Sequence, residues 1–467
     1  MKTKTALYPW QQAAVDKLLG IRVGALYMEM GTGKTRTALE MIRRRLDAGR
    51  LDHVLWLCPC SVRQSLREDI AKHADGALSR IAIYGIESLS SSLRVYELLR
   101  RYVAAGTTML IVDESNLVKN PKAIRTQRIT QLSEACRYRL ILNGTPVSRN
   151  EADLFAQWYI LDWRILGYRS FWSFAANHLE MDPEIPGKIR RTLHTDYLIE
   201  KIAPYSYQVA REDCFTLPDR SYVRETTFLT DEQEKHYDEV TLAMIDSLDE
   251  RRPETIYRMF AAAQAIISGL RVEDDGKHFK TSPMFSDPRA NPRIQELLHI
   301  VRWMPEDEQA IIFCRYRHEA DAILSVLPGS VPFTGSQSAR QRQANLEAFR
   351  DGARFLVANK TCAGYGLNLQ FCHHVIYYSN DWDWATRAQS EDRVYRLGQD
   401  HEVTVTDICA SNTLDEKILR CLKRKESLSD EVKRELNAAN GTTKARGKFR
   451  AWLRGEMGDS DGKDIPG

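Results

Sequence analysis

Residues 24–35 read Gly-Ala-Leu-Tyr-Met-Glu-Met-Gly-Thr-Gly-Lys-Thr, an apolar run (Gly24 to Met28) that ends in a loop holding Gly31 and Gly33. A helical pattern, Thr35 to Leu46, follows at once. Glycines let a chain turn so that its N–H groups face a polyanion, and the following helix adds the positive end of its dipole. The loop therefore has the chemistry to hold phosphates, with Gly31, Thr32 and Gly33 supplying backbone. Lys34 would reach the β- and γ-phosphates, and the Thr35 hydroxyl would bind magnesium. Met28 stands where the strict pattern has glycine. A second apolar run, Leu110-Ile111-Val112, ends in Asp113-Glu114. Asp113 could hold a magnesium ion through water, and Glu114 could polarise an attacking water. Alone, such a pair is an ordinary solvated strand end; with the phosphate loop at normal spacing it describes a nucleotide-hydrolysing site. Two further groups have the right chemistry but weaker signals. The Gln11 amide offers a donor and an acceptor that can read an adenine edge, yet taken alone it is a surface helix residue. Arg393 and Arg396, three apart in a helical pattern, would share one face and could reach a γ-phosphate; a solvated Arg/Glu face is the plainer reading.

The elements that must place these groups alternate. Gly24–Met28, Val54–Cys58, Thr108–Val112 and Arg139–Leu142 read as buried strands with helices between, which predicts a parallel sheet covered on both faces. Residues 154–207 turn aromatic and helical, with Trp158, Trp163, Phe171, Trp172 and Phe174 expected in a core or interface. Residues 229–270 are again helical, and Arg271 to Arg293 reads as a linker. Alternation resumes with Ala310–Cys314, Phe355–Ala358, Val375–Tyr378 and Val403–Ile408. From Lys433 the chain is polar, and its basic residues (Lys444, Arg446, Lys448, Arg450 among them) read either as a solvated, loose tail or as an arm for a polyanion.

Composition bounds the class. The 467 residues are 43% hydrophobic and 28% charged with a formal charge of +3, enough for two or three cores and neutral on nucleic-acid binding. Nine cysteines carry no paired metal spacing, and Cys372-His373-His374 lacks a second pair of ligands, so buried free thiols in a reducing compartment are expected. No signal peptide or membrane-spanning run is visible, so a cytoplasmic location is expected, a host's cytoplasm if phage-encoded, or a nuclear one if eukaryotic.

The order of these segments strongly resembles the Snf-type DNA translocases of helicase superfamily two, over about Leu7 to Leu422. Leu7 to Gln11 resembles the adenine-reading motif, Glu29 to Thr35 motif I, and Leu57-Cys58-Pro59 with Ser61-Val62 motif Ia. Asp113-Glu114-Ser115-Asn116 resembles motif II, with Asn116 where many members have histidine. Asn143-Gly144-Thr145-Pro146 resembles motif III and Ile311-Ile312-Phe313 motif IV. Gly364, Gly366, Leu367, Asn368, Leu369 and Gln370 resemble motif V, and Gln389 to Gln399, ending Tyr395-Arg396-Leu397-Gly398-Gln399, motif VI. The resemblance implies an α/β fold of two RecA-like lobes with helical protrusions between them: lobe one over 1–215 with a protrusion at about 154–207, protrusion and linker over 216–290, lobe two over 291–430, and a tail over 431–467. It implies a DNA-dependent ATPase, using ATP and Mg2+, that tracks along duplex or branched DNA as a monomer. Lys34, Glu114, Arg393 and Arg396 would be catalytic. Gln11, Gly366 and Gln389 would join the loop and the carboxylates in holding ATP, and Ser61, Thr145 and Asn368 would touch DNA. Three rivals stay open: a strand-separating helicase, a non-catalytic module on a degenerate ATPase fold, and an ATPase whose track is a protein.

Overall fold

Continuous apolar runs form strands that are buried on both faces only when helices cover both sides of a parallel sheet, and two such sheets form here. The computed structural model describes residues 1–144, 151–181, 189–246, 253–274, 279–359 and 367–424. Met1–Leu217 forms one unit, and the bulk of the chain from Pro218 forms the other.

The first sheet has six strands: β1 (Val23–Met28), β2 (His53–Cys58), β3 (Ile81–Gly85), β4 (Thr108–Asp113), β5 (Tyr138–Asn143) and β6 (Ser206–Val209). Their order is β6-β1-β5-β4-β2-β3, all parallel. Val54, Leu55, Trp56 and Leu57 on β2 are fully buried in succession. One face packs on α1 (Pro9–Leu18) and α2 (Lys34–Asp47). The other packs on helices of residues 88–134 and on α3 (Ala152–Leu166). The aromatic segment expected as a protrusion at 154–207 is therefore largely a covering layer of the sheet. Trp158 is fully buried, and its Nε1 donates to the Tyr27 hydroxyl on β1 at 3.0 Å. Trp172 departs from the expectation of burial, being 71% exposed.

The second sheet comprises β7 (Arg220–Thr227), β8 (Ala310–Cys314), β9 (Ser330–Phe333), β10 (Phe355–Asn359), β11 (His374–Tyr377) and β12 (Val403–Ala410), in the order β7-β12-β11-β8-β10-β9, again all parallel. Here the expected division needs correcting. Residues 216–290 are not only helix and linker, because β7 pairs with β12 along its whole length, Arg220 opposite Val403 to Thr227 opposite Ala410. The second sheet thus begins some 70 residues before the expected start of lobe two at 291. The segment Arg-Ser-Tyr-Val-Arg-Glu-Thr-Thr hides this, since an edge strand pairs on one side only and keeps polar, exposed residues. The supposed linker from Arg271 also contains a two-stranded hairpin, Leu270–Asp274 with Phe279–Pro283. Helices Asp231–Asp246, Pro253–Ile267 and Leu414–Arg424 share a separate apolar cluster. Each unit is thus a RecA-like layered α/β fold. The tail expected over 431–467 lies outside the described residues. No helix among the described residues is long and apolar enough to cross a membrane.

Candidate nucleotide site and arginine turn

The phosphate loop leaves the carboxyl end of β1, the end at which parallel α/β sheets place their ligands. Gly31 and Gly33 have φ of 86° and 89°, the left-handed region open to glycine. At Gly33 a second constraint applies, because an added Cβ would lie 2.1 Å from Gln11 Nε2. Gln11 is buried and ties α1 to the loop: its Oε1 accepts from Tyr8 N at 3.1 Å, and its Nε2 donates to Thr32 O at 3.1 Å. Trp10 Nε1 donates to the same carbonyl at 2.9 Å, and its ring stacks on Tyr8 with centroids 4.7 Å apart. Lys34 begins α2 and turns its ammonium back to Met28 O at 2.7 Å, so the loop's own carbonyls already cradle that charge. Thr35 follows it on α2, its hydroxyl beside Asp69. Burial raises that carboxyl, but His73 and then Thr35 outweigh it, and Asp69 sits below its ordinary range.

Asp113 is the last residue of β4, and Glu114 follows with φ 48° and ψ 56°. A non-glycine residue in this region costs on the order of 1–3 kcal/mol and persists only where its surroundings impose it. The surroundings are visible. Ser115 Oγ donates to Gln157 Oε1 on α3 at 2.5 Å, and Lys119 pairs with Asp153, also on α3, at 3.2 Å. Burial, and then the Glu114 carboxylate, push Asp113 up to about 7, while Lys34 pulls it down. Asp113 and Glu114 thus lie together beside the Lys34 ammonium at the end of a buried strand. The carboxylate oxygens of this pair are hard donors of the kind Mg2+ takes.

In the second unit one expectation fails. Arg393 and Arg396 do not share a helix face, because α4 (Trp384–Glu391) ends before both and the chain continues in turns. Gly398, at φ 93°, closes that segment. Arg393 is buried, and Arg396 donates to Asn368 Oδ1. Asn368, expected at DNA, and Arg396, expected at ATP, are thus bonded to each other. Gln389 is half-buried on α4.

What fixes the turn is a buried network that sequence reasoning missed. Arg387 on α4 makes a bidentate pair with Asp407 on β12, at 2.6 and 2.9 Å. Its Nε donates to Glu391 at 2.9 Å, and its guanidinium lies 4.0 Å over the Tyr377 ring. Glu391 also accepts from Arg220 at 3.0 Å and from the Tyr222 hydroxyl at 2.8 Å, both on β7. The one signal in sequence was the Arg387–Glu391 spacing of four; the partners on β7 and β12 are too distant in the chain to be read from it.

Of the remaining candidates, Ser61 lies exposed in a short turn after β2, while Thr145 and Gly366 fall outside the described residues. Cys58, Cys136, Cys314, Cys372, Cys409 and Cys421 are buried free thiols; Cys60 is exposed and Cys214 half-buried.

Residues 18–264, more than half of the chain, match the family model described as the SNF2-related domain, and residues 292–398 match the helicase conserved C-terminal domain. YwqA of Bacillus subtilis (strain 168) is 24% identical over 92% of this chain and 49% of its own length. YqhH of the same organism, named an uncharacterized ATP-dependent helicase, is 24% identical over 91% of this chain and 78% of its own length. A Drosophila melanogaster protein, named SWI/SNF-related matrix-associated actin-dependent regulator of chromatin subfamily A-like protein 1, is 23% identical over 92% and 56%. The chain therefore spans about half the length of two of these three relatives. A solved SWI2/SNF2 ATPase core of Sulfolobus solfataricus, 22% identical over 91% of this chain and 92% of that one, has a TM-score of 0.40, too loose to add to the fold already described.

Proposed function

This chain belongs to the SNF2-related family, and from that premise we propose that it is an ATP hydrolase that tracks along duplex DNA. The observation that carries the reading is the pairing of the Gly31–Lys34 loop with the strained Asp113-Glu114 end of β4, on one sheet and at the same ends of its parallel strands. Loop N–H groups and Lys34 hold the phosphates, and the Lys34 ammonium leaves Met28 O for the γ-phosphate. Thr35 and Asp113 would hold Mg2+, whose chemistry there is to neutralise charge on the phosphates. Gln11 keeps one N–H and one lone pair for the adenine edge after its bonds with Tyr8 N and Thr32 O, and the Tyr8–Trp10 stack offers an aromatic surface beside it. Glu114 orients and polarises the attacking water. Gly366 and Gln389 are the further ATP contacts, and Arg393 and Arg396 act on charge that develops in transfer. Ser61, Thr145 and Asn368 meet DNA phosphates, so binding is sequence-tolerant and salt-sensitive. On this reading the Asn368–Arg396 bond would couple the polymer contact to the arginine.

The test is the ATPase rate with no polymer, with duplex, branched or single-stranded DNA, and with RNA, alongside a fork-unwinding assay. Stimulation by duplex DNA without strand separation is expected. A rate indifferent to DNA would contradict the track, and efficient unwinding would favour a strand-separating helicase.

A further inference from the structure

We propose that Glu308, His373 and His374 form a binding site for one divalent transition-metal cation of the zinc class, clamping two adjacent central strands of the second unit. The pair His373-His374 looked incomplete in sequence because its third partner lies 66 residues from His374 and is neither cysteine nor histidine. The sheet supplies it. β8 and β11 are neighbours, with Ala310 opposite His374, so the loop before β8 brings Glu308 to the start of β11. One ligand atom from each of the three side chains lies within 4.8 Å of the others. The carboxylate sits between two imidazoles, Oε2 at 2.5 Å from His374 Nε2 and Oε1 at 3.3 Å from His373 Nε2.

His373 presents Nε2 to Glu308, so its buried Nδ1, which has no hydrogen-bond partner among the described residues, is not a ligand atom of this trio. The donor set selects the cation: two imidazoles and one carboxylate suit zinc and its neighbours, whereas Mg2+ and Ca2+ take oxygen ligands. Cys372 is adjacent but is no ligand. Its thiol donates to Gln309 O at 3.2 Å, and its sulfur is not among the ligand atoms brought together. Three protein ligands leave a fourth position for water. The clamp would also steady the segments leading to Asn368 and from Arg396. The His401 ring packs 5.0 Å from that of His373, and Gln399 Nε2 donates to Cys372 O at 3.0 Å.

The test uses the full chain, stripped of metal and free of nucleotide, titrated with Co2+ and followed by its visible absorption, then with Zn2+ in competition. One equivalent of Co2+ should bind and be displaced by Zn2+. Glu308→Gln and His373→Gln should each weaken binding by more than about tenfold, while Asp113→Asn leaves it unchanged. Zn2+ should raise the melting temperature of the unaltered chain and not that of Glu308→Gln, a comparison that guards against a variant that folds poorly. The proposal is overturned if the unaltered chain binds neither ion, if the Glu308 and His373 variants bind as well as it does, or if Asp113→Asn alone abolishes binding. In each case the trio is only a hydrogen-bonded carboxylate between two imidazoles.

Discussion

The phosphate loop of the first unit and the arginine turn of the second both hold a cation in place, by different means. Lys34 is placed by its immediate neighbours: two glycines at positive φ, the carbonyl of Met28 six residues back, and the start of α2. Arg393 and Arg396 are placed at a distance. They follow α4, and α4 is pinned through Arg387 and Glu391 to residues on β7, β11 and β12 that span nearly 190 positions of sequence. The first arrangement can be destroyed at the loop alone; the second can be destroyed by residues that touch no ligand.

Lys34→Ala should break the first arrangement outright, with about a 10²–10³-fold loss of turnover and the fold intact, measured as phosphate release beside circular dichroism. Near-normal turnover would remove the loop from the catalytic account.

Arg387→Ala tests the other half. It leaves Asp407 buried without its bidentate cation and takes one of three donors from Glu391, so stability should fall by about 3–5 kcal/mol in chemical denaturation. Arg387→Lys should recover little of it, because an ammonium cannot match the bidentate geometry. A loss under about 1 kcal/mol would mean that the turn is held otherwise.

The smallest effect is expected on α2, where Glu40 is clasped by Arg36, Arg43 and Arg44. Burial alone would raise its carboxyl, but the arginine hydrogen bonds outweigh this and bring it to about 2. A folded value below the unfolded one stabilises the fold above the unfolded value, near 4.3, and that stability is lost as pH falls toward 2. Glu40→Gln should therefore cost about 1–2 kcal/mol at pH 7, less than the full shift because Arg43 and Arg44 reach solvent. The two proteins should converge in stability near pH 2. A gap independent of pH would place the effect in packing instead of charge.

The same contrast explains what could be read beforehand. The loop and the Asp113-Glu114 pair were legible because each is a run of adjacent residues with its strand attached. β3 and β9 escaped notice as short runs, and β7 because an edge strand carries Arg220, Arg224 and Glu225 on a surface that needs no apolar residues. Arg393 and Arg396 were expected on a helix because their spacing is helical; nothing local shows that α4 stops at Glu391, since Gly398 lies seven residues on. Arg387, Asp407 and the Glu308 partner of His373-His374 are facts of strand order, which no local pattern states.

The central claim is that the strained carboxylate after β4 activates water for hydrolysis. It is tested most directly by measuring ATP binding and phosphate release, at saturating duplex DNA, for the unaltered chain and for Glu114→Gln. The amide keeps the shape and loses the base, so ATP should bind as before while release falls by about 10²–10⁴-fold. Release at the unaltered rate would show that Glu114 is not the catalytic carboxylate.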